Sequence, residues 1–230
     1  MSTILAIETS TELASVALLM KDGLLVRDAA SVQTHSQSLL PMVQALLAEA
    51  GIRLPDCDAV AFGAGPGSFT GVRTACGVVQ GLAFGASLPV AAVGTLDAMA
   101  ERCREENGAE DVLCILDARM GEVYWAQFRH GTGGWQIIVA PRLSSPADVV
   151  PEGPVIACGN GLSAYADAFA GRDFLAGADP SIMPHAAQVA ALARLAVARG
   201  DTMDAAAAQP VYLRNKVALT TAERMVGKAA

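Results

Sequence analysis

Residues 61 to 71 read AFGAGPGSFTG, with Gly63, Gly65, Gly67, Gly71 and Pro66 between an apolar run and a helix-like segment. A glycine-rich loop joining a strand to a helix can cradle a phosphate, because bare backbone N–H groups and the helix N-terminus attract an anion. Gly65, Gly67 and Ser68 are therefore the candidates for contact with a nucleotide. The spacing argues against that chemistry. No lysine follows as in GxxxxGK[ST], Thr70 stands where GxGxxG needs its third glycine, and Pro66 removes an N–H. Ser68 lies outside GxSxG, and His35, His130 and His185 form no local cluster with it. The structural reading is a tight strand-to-helix turn.

The elements that position this loop follow from periodicity. TILAIE, SVALLM and LLVRDAA read as three strands, the last two joined by a KDG hairpin turn. Residues 36 to 50 carry Leu39, Leu40, Val43, Leu46 and Leu47 at helical spacing, with Ser36 or Ser38 as cap, Pro41 in the first turn and Gly51 as stop. AVAFG is a strand, 71–86 a helix, PVAAVG a strand, and TLDAMAERCREEN a helix ended by Gly108. VLCILDARMGEVYWAQFR and GWQIIVAP then start a second meander, followed by PVIACGNG and the helix-like LSAYADAFA and HAAQVAALARLAVARG. Two halves of like element order, with a boundary near 108, predict a duplicated mixed α/β domain.

Composition sets the class. A chain of 230 residues, 53% of them hydrophobic, has material for one large core or two small ones. A net charge of -7 lacks the basic footprint of a free-standing nucleic-acid binder. Cys57, Cys76, Cys103, Cys114 and Cys158 are scattered and form no CxxC pair, the pattern of reduced thiols. The uncharged run 74–96 has a bilayer-spanning length, but Pro89 breaks it, so a buried helix and strand are expected. No basic region precedes an apolar one at the N-terminus, and a cytoplasmic location is expected.

ILAIETST with SVALLM, THSQSLLPMV, AFGAGPGSFTGVRTACGVVQGLA, LDARMGEVYWAQF and AQPVYLRNKVA resemble the TsaB (YeaZ) family, from residue 3 to about 218. The resemblance implies two tandem actin/Hsp70-like ATPase (ASKHA) domains, each a mixed β-sheet with helices. They are expected at 1–107 and 108–209, with 210–230 packing back on the first. It implies a non-catalytic scaffold subunit for threonylcarbamoyl transfer to adenosine 37 of tRNAs that read ANN codons. The implied partners are the related catalytic subunit TsaD and the ATPase TsaE, with a homodimer when the chain is alone. tRNA is then met only through the complex, and neither cofactor nor membrane is expected. The rival classes are an active ATP-using or metallopeptidase enzyme and a homodimeric binding module.

The catalytic relative carries a His-x-x-x-His pair after the strand that matches PVAAVG, and imidazoles at i and i+4 share one helical face. Thr95 and Met99 stand at those positions here, poor ligands for a hard ion. The relative's glycine-rich SGGHT corresponds to LDARMG, with Asp117 and Arg119 in place of permissive backbone. The relative also runs well beyond this length. These departures lead us to expect no catalytic residue and no metal ligand. Glu8 occupies the place of a metal- or water-linked acid in ATPases of this fold and is expected to be structural. His35, with Ser36, is expected to help cap its helix. The basic tail RNKVALTTAERMVGK is expected to be solvated or to touch tRNA phosphate in the complex.

A partner surface is also expected. Gly77, Gly81 and Gly85 repeat every four residues and leave one helix face bare, so that another helix can approach closely. The helix at 36–50 has an apolar stripe wider than one sheet needs. The expected interface comprises His35, Leu39, Leu40, Val43, Leu46 and Leu47, with Arg73, Gly77, Val79 and Gly81.

Overall fold

The computed structural model describes residues 2–29 and 35–214. The side chains of His35 and Ser36, and with them the expected cap, lie outside the described residues, as does the basic tail beyond Arg214.

Strands β1 (Ile4–Glu8), β2 (Ala14–Leu19) and β3 (Leu24–Ala29) form an antiparallel meander. A 2.8 Å bond from the Met20 N–H to the Gly23 carbonyl closes its second turn. After α1 (His35–Ala50), β4 (Ala59–Gly63) pairs parallel to β1. After α2 (Phe69–Ala86), β5 (Val90–Val93) pairs parallel to β4. The sheet order is β3-β2-β1-β4-β5. Helix α3 (Thr95–Asn107) leads to β6 (Asp111–Asp117), β7 (Val123–Gly131) and β8 (Gly134–Ser144), again a meander. Strand β9 (Ile156–Cys158) joins parallel to β6, giving β8-β7-β6-β9. The second sheet thus repeats the topology of the first, as the duplicated element order predicts.

Strand alternation sends Leu5 and Ile7 to one face of the first sheet and Ile4 and Ala6 to the other. Val16, Leu18, Val60 and Phe62 of β2 and β4 complete the first face, and Leu39, Val43, Leu46 and Val79 of α1 and α2 cover it. The opposite face is small, with Ala6, Ala17, Ala59, Ala61 and Ala91. It receives Ala186, Val189, Ala190 and Ala193 of α6 (Ala186–Arg199), so helix and sheet meet alanine to alanine. This helix comes from the sequence range of the second half yet covers the first sheet. Both local helices lie on the other side, and the apolar second face needs a cover. Conversely, Leu96, Met99, Ala100 and Cys103 of α3 pack on the second sheet. The halves therefore exchange a helix.

Two local expectations change. LSAYADAFA forms two single turns, α4 (Gly161–Ala164) and α5 (Ala166–Phe169), not one helix. They break at Tyr165, whose φ is -128° and whose hydroxyl donates to Asp117 Oδ1 at 2.9 Å. Helix α1 starts at His35, so Pro41 lies beyond its first turn. Pro41 and Gln37 are both exposed, and water can serve the carbonyl that Pro41 leaves unbonded. The run 74–96 divides into α2 and β5, and among the described residues no helix is long and apolar enough to cross a membrane. All five cysteines are free and buried.

Candidate functional site

The glycine loop starts where β1 and β4 end side by side. The Ser68 N–H donates to the Ser10 carbonyl at 2.6 Å, and the Thr9 hydroxyl donates to the Gly71 carbonyl at 2.8 Å. A Cβ at Gly71 would strike the Thr9 carbonyl oxygen, and one at Gly63 would overlap the Glu8 carboxylate. The chain's own close approach therefore requires these two glycines. Ser68 is the N-cap of α2, its hydroxyl accepting the Gly71 N–H at 3.3 Å. Gly65, in a cis bond to Pro66, gives its N–H to Thr95 Oγ1 at 3.1 Å.

Glu8 is fully buried, and its Oε1 accepts the Ser10 N–H at 2.5 Å. Burial pushes its carboxyl up from the ordinary value, and the hydrogen bonds from Ser10 and Thr9 offset only part of that rise. Desolvation favours the neutral acid at this site.

Between the lobes lies a cleft of about 460 Å³. Ser10, Thr11 and Glu12 line it with Pro66, Gly67, Ser68 and Phe69; Asp117, Arg119, Met120 and Asn160 line it from the second half. Gly67 and Ser68 thus reach the cleft, whereas Glu8 and Gly65 are not among its lining residues. The second wall is a turn in which Arg119 and Met120 take φ of 61° and 59°. That left-handed backbone costs a residue with a side chain roughly 1–2 kcal/mol. Asp117 braces the turn. Its Oδ1 accepts the Arg119 N–H at 2.7 Å and its Oδ2 pairs with the Arg119 guanidinium at 2.9 Å. Its own N–H donates to Asn160 Oδ1 at 2.9 Å.

Thr95 and Met99 are both completely buried. Thr95 binds the glycine loop, and Met99 packs in the second core against the position of Gly159. His185 caps α6 through Nδ1, which accepts the Ala187 N–H at 3.1 Å. His130 instead meets the Trp135 ring at 5.0 Å. Among the described residues no group of three His, Cys, Asp or Glu side chains is placed to hold a metal. Ser68, Thr95 and Asp117 are all engaged in holding backbone.

The surface of α1 and α2 corrects the expected interface. Leu39, Val43, Leu46 and Val79 are 0–2% exposed and belong to the chain's own core. They fix the two helices to the sheet and present nothing to a partner. The residues that do face outward are Gln37, Leu40, Pro41, Gln44, Ala45, Ala48 and Glu49 of α1, with Leu47 half-buried. On α2 they are Phe69, Thr70, Arg73, Gly77, Gly81, Phe84 and Gly85. Phe84, which the sequence reading missed, is 80% exposed. Its signal was its place in the row 77–81–84, at i+4 and i+3 spacing. Among the described residues, a Cβ at Gly77, Gly81 or Gly85 would meet nothing within 4 Å. Each glycine in a helix costs about 0.5–1 kcal/mol relative to alanine, and nothing among the described residues requires these three.

Residues 26–226 match the family model described as TsaD, tRNA N6-adenosine threonylcarbamoyltransferase. The chain is 39% identical over 221 residues to the tRNA threonylcarbamoyladenosine biosynthesis protein TsaB of Escherichia coli, covering 94% of this chain and 96% of that one. It is likewise 39% identical over 226 residues to TsaB of Haemophilus influenzae, covering 94% of each. Among solved structures, YeaZ from Pseudomonas aeruginosa superposes with a TM-score of 0.85 at 44% identity, over 93% of this chain and 100% of that one.

Proposed function

The chain belongs to the TsaB (YeaZ) family, with a tandem ASKHA-like fold, and from that premise we propose that it serves tRNA threonylcarbamoyladenosine biosynthesis as a non-catalytic subunit. In this reading it pairs with a TsaD-like catalytic subunit through the outward face of α1 and α2. A TsaE-like ATPase joins the pair, and threonylcarbamoyl transfer to adenosine 37 of tRNAs reading ANN codons depends on the assembly. tRNA is met through the complex. When the partner is absent the same face pairs two copies of the chain.

One observation carries the interface. Gly77, Gly81 and Gly85 stand in open space on a long helix, beside the exposed Phe84. Such a bare row allows the axis of another helix to come close, and the exposed ring supplies apolar area for burial. The non-catalytic role is supported by Thr95 and Met99, which are buried in packing, and by Asp117 and Ser68, which brace turns.

The test is reconstitution of the tRNA reaction with the TsaD-like and TsaE-like proteins, with and without this chain. A Gly81→Arg variant that keeps its circular dichroism spectrum should lose complex formation and modification together. Full modification by that variant would place the contact elsewhere. Modification by this chain without the TsaD-like protein would make it the enzyme.

A further inference from the structure

The last described residues pass from one lobe to the other. Gln80 Nε2 donates to the Ala208 carbonyl at 2.9 Å, which seats the segment on α2. The Val211 N–H donates to the Ala64 carbonyl at 2.7 Å. Gly65, at φ 108°, leaves room for the Val211 carbonyl oxygen, which a Cβ there would meet at 2.7 Å. Arg73 Nε donates to the Tyr212 hydroxyl at 2.7 Å. Its guanidinium carbon also lies 3.7 Å from the Phe69 ring centroid and 5.4 Å from that of Tyr212. Leu213 already packs with the core of the second lobe. Arg214 then grips the strained β6–β7 turn. It pairs with Glu122 Oε2 at 2.6 Å, and its Nη2 donates to the Ala118 carbonyl at 3.1 Å. Residues 211 to 214 all line the interlobe cleft.

We infer that residues 208–214 form a strap that holds the cleft closed and is released from the surface of α2 through Arg73. Arg73 is exposed and lies one helical turn before Gly77, in the outward row of α2. A carboxylate that docks on this row and takes the guanidinium removes Tyr212's hydrogen bond and its cation–π contact at once, leaving the Phe69 ring, 5.7 Å away, as its neighbour. That step rests on the docking face proposed above; the strap itself does not. With that bond gone, the chain between Val211 and Arg214 keeps only the apolar contacts of Tyr212 with Phe69 and of Leu213 with the second core, and the clamp on the left-handed turn at Arg119 and Met120 loosens. Binding at the α2 face and opening of the cleft are then linked, each favouring the other by the same factor.

The coupling is read by amide hydrogen exchange on the isolated full chain, which makes the result independent of which protein docks on α2. The reporters are the N–H of Val211, on the strap, and those of Ala118 and Glu122, which bond to the Glu122 and Arg119 carbonyls on the far lobe. Amides of β1 serve as the control for global stability. In Arg73→Ala, exchange at Val211, Ala118 and Glu122 should rise by about tenfold with β1 unchanged. In Tyr212→Phe, which keeps the ring, the rise should be smaller. If Arg214→Ala frees the turn at 118–122 but Arg73→Ala leaves it unchanged, the two contacts are independent clips and the strap is overturned. A rise at 118–122 no larger than in β1 overturns it as well.

Discussion

Thr95 and Gly65 exchange two hydrogen bonds, the Gly65 N–H to Thr95 Oγ1 at 3.1 Å and the Thr95 N–H to the Gly65 carbonyl at 2.9 Å. The first residue of α3 is thereby tied to the glycine loop, at a position where the catalytic relative is expected to carry a metal-binding histidine. The hydroxyl here works for the fold. Thr95→Val keeps the shape and leaves a buried N–H without its acceptor, which should cost about 1–3 kcal/mol in urea unfolding. Unchanged stability would show that the bond contributes nothing. By the same reading, elemental analysis of the purified chain should find no stoichiometric zinc or iron.

Glu8 gives a pH signature. Its folded carboxyl is raised above the ordinary glutamate value by burial, so the folded state keeps its proton to higher pH than the unfolded chain does. The group's contribution to stability is complete below about pH 4.5 and is lost as pH rises through the folded value. Glu8→Gln retains an acceptor for the Ser10 N–H and removes the titration. Relative to wild type, the variant should therefore gain stability between pH 4 and pH 8. A stability difference that stays flat across that range would mean Glu8 ionises as it does in the unfolded chain.

Periodicity made both meanders and most helices legible, because strand and helix spacing are local properties. It could not orient α1. Leu39, Val43 and Leu46 form one row and Leu40 and Leu47 another beside it, and only the sheet decides which row is buried. Nor could it show that α6 covers the first sheet, since an alanine-rich face fits any flat apolar surface. Thr95, Arg73 and Tyr212 took their roles from partners distant in the chain: Gly65 lies 30 residues from Thr95, and Tyr212 lies 139 from Arg73. The glycine loop is a tight connection between β4 and α2, and that much is legible because its glycines and Pro66 stand together between two periodic segments.

Val43 and Leu40 separate core from surface on the same helix. Val43→Glu places a charge in a site only 2% exposed and should cost more than about 4 kcal/mol, enough to unfold much of the chain. Leu40→Glu, at 46% exposure, should leave the melting curve within about 0.5 kcal/mol of wild type while weakening association. Circular dichroism melts with light scattering distinguish the two. A folded Val43→Glu protein would show that the helix does not seat this row on the sheet.

The glycine row gives the sharpest test, because stability and binding should move in opposite directions. A methyl group at Gly77 or Gly81 meets nothing within 4 Å among the described residues, and alanine is the better helix former. Gly77→Ala and Gly81→Ala should each stabilise the isolated protein by about 0.5–1 kcal/mol. In a closely packed helix pair the same methyl pushes the two axes apart and loses contacts along the row. The double variant should therefore melt higher and bind a TsaD-like partner, or a second copy of itself, more weakly. Phe84→Ala supplies the complement: a ring 80% exposed contributes little to the isolated fold, whereas its loss from a buried interface removes a large apolar contact. Titration calorimetry with the partner, beside thermal melts of each variant alone, measures both quantities. If the glycine variants gain stability and keep full affinity, the row lies outside the interface. If they lose stability in the isolated chain, the space beside these glycines is filled.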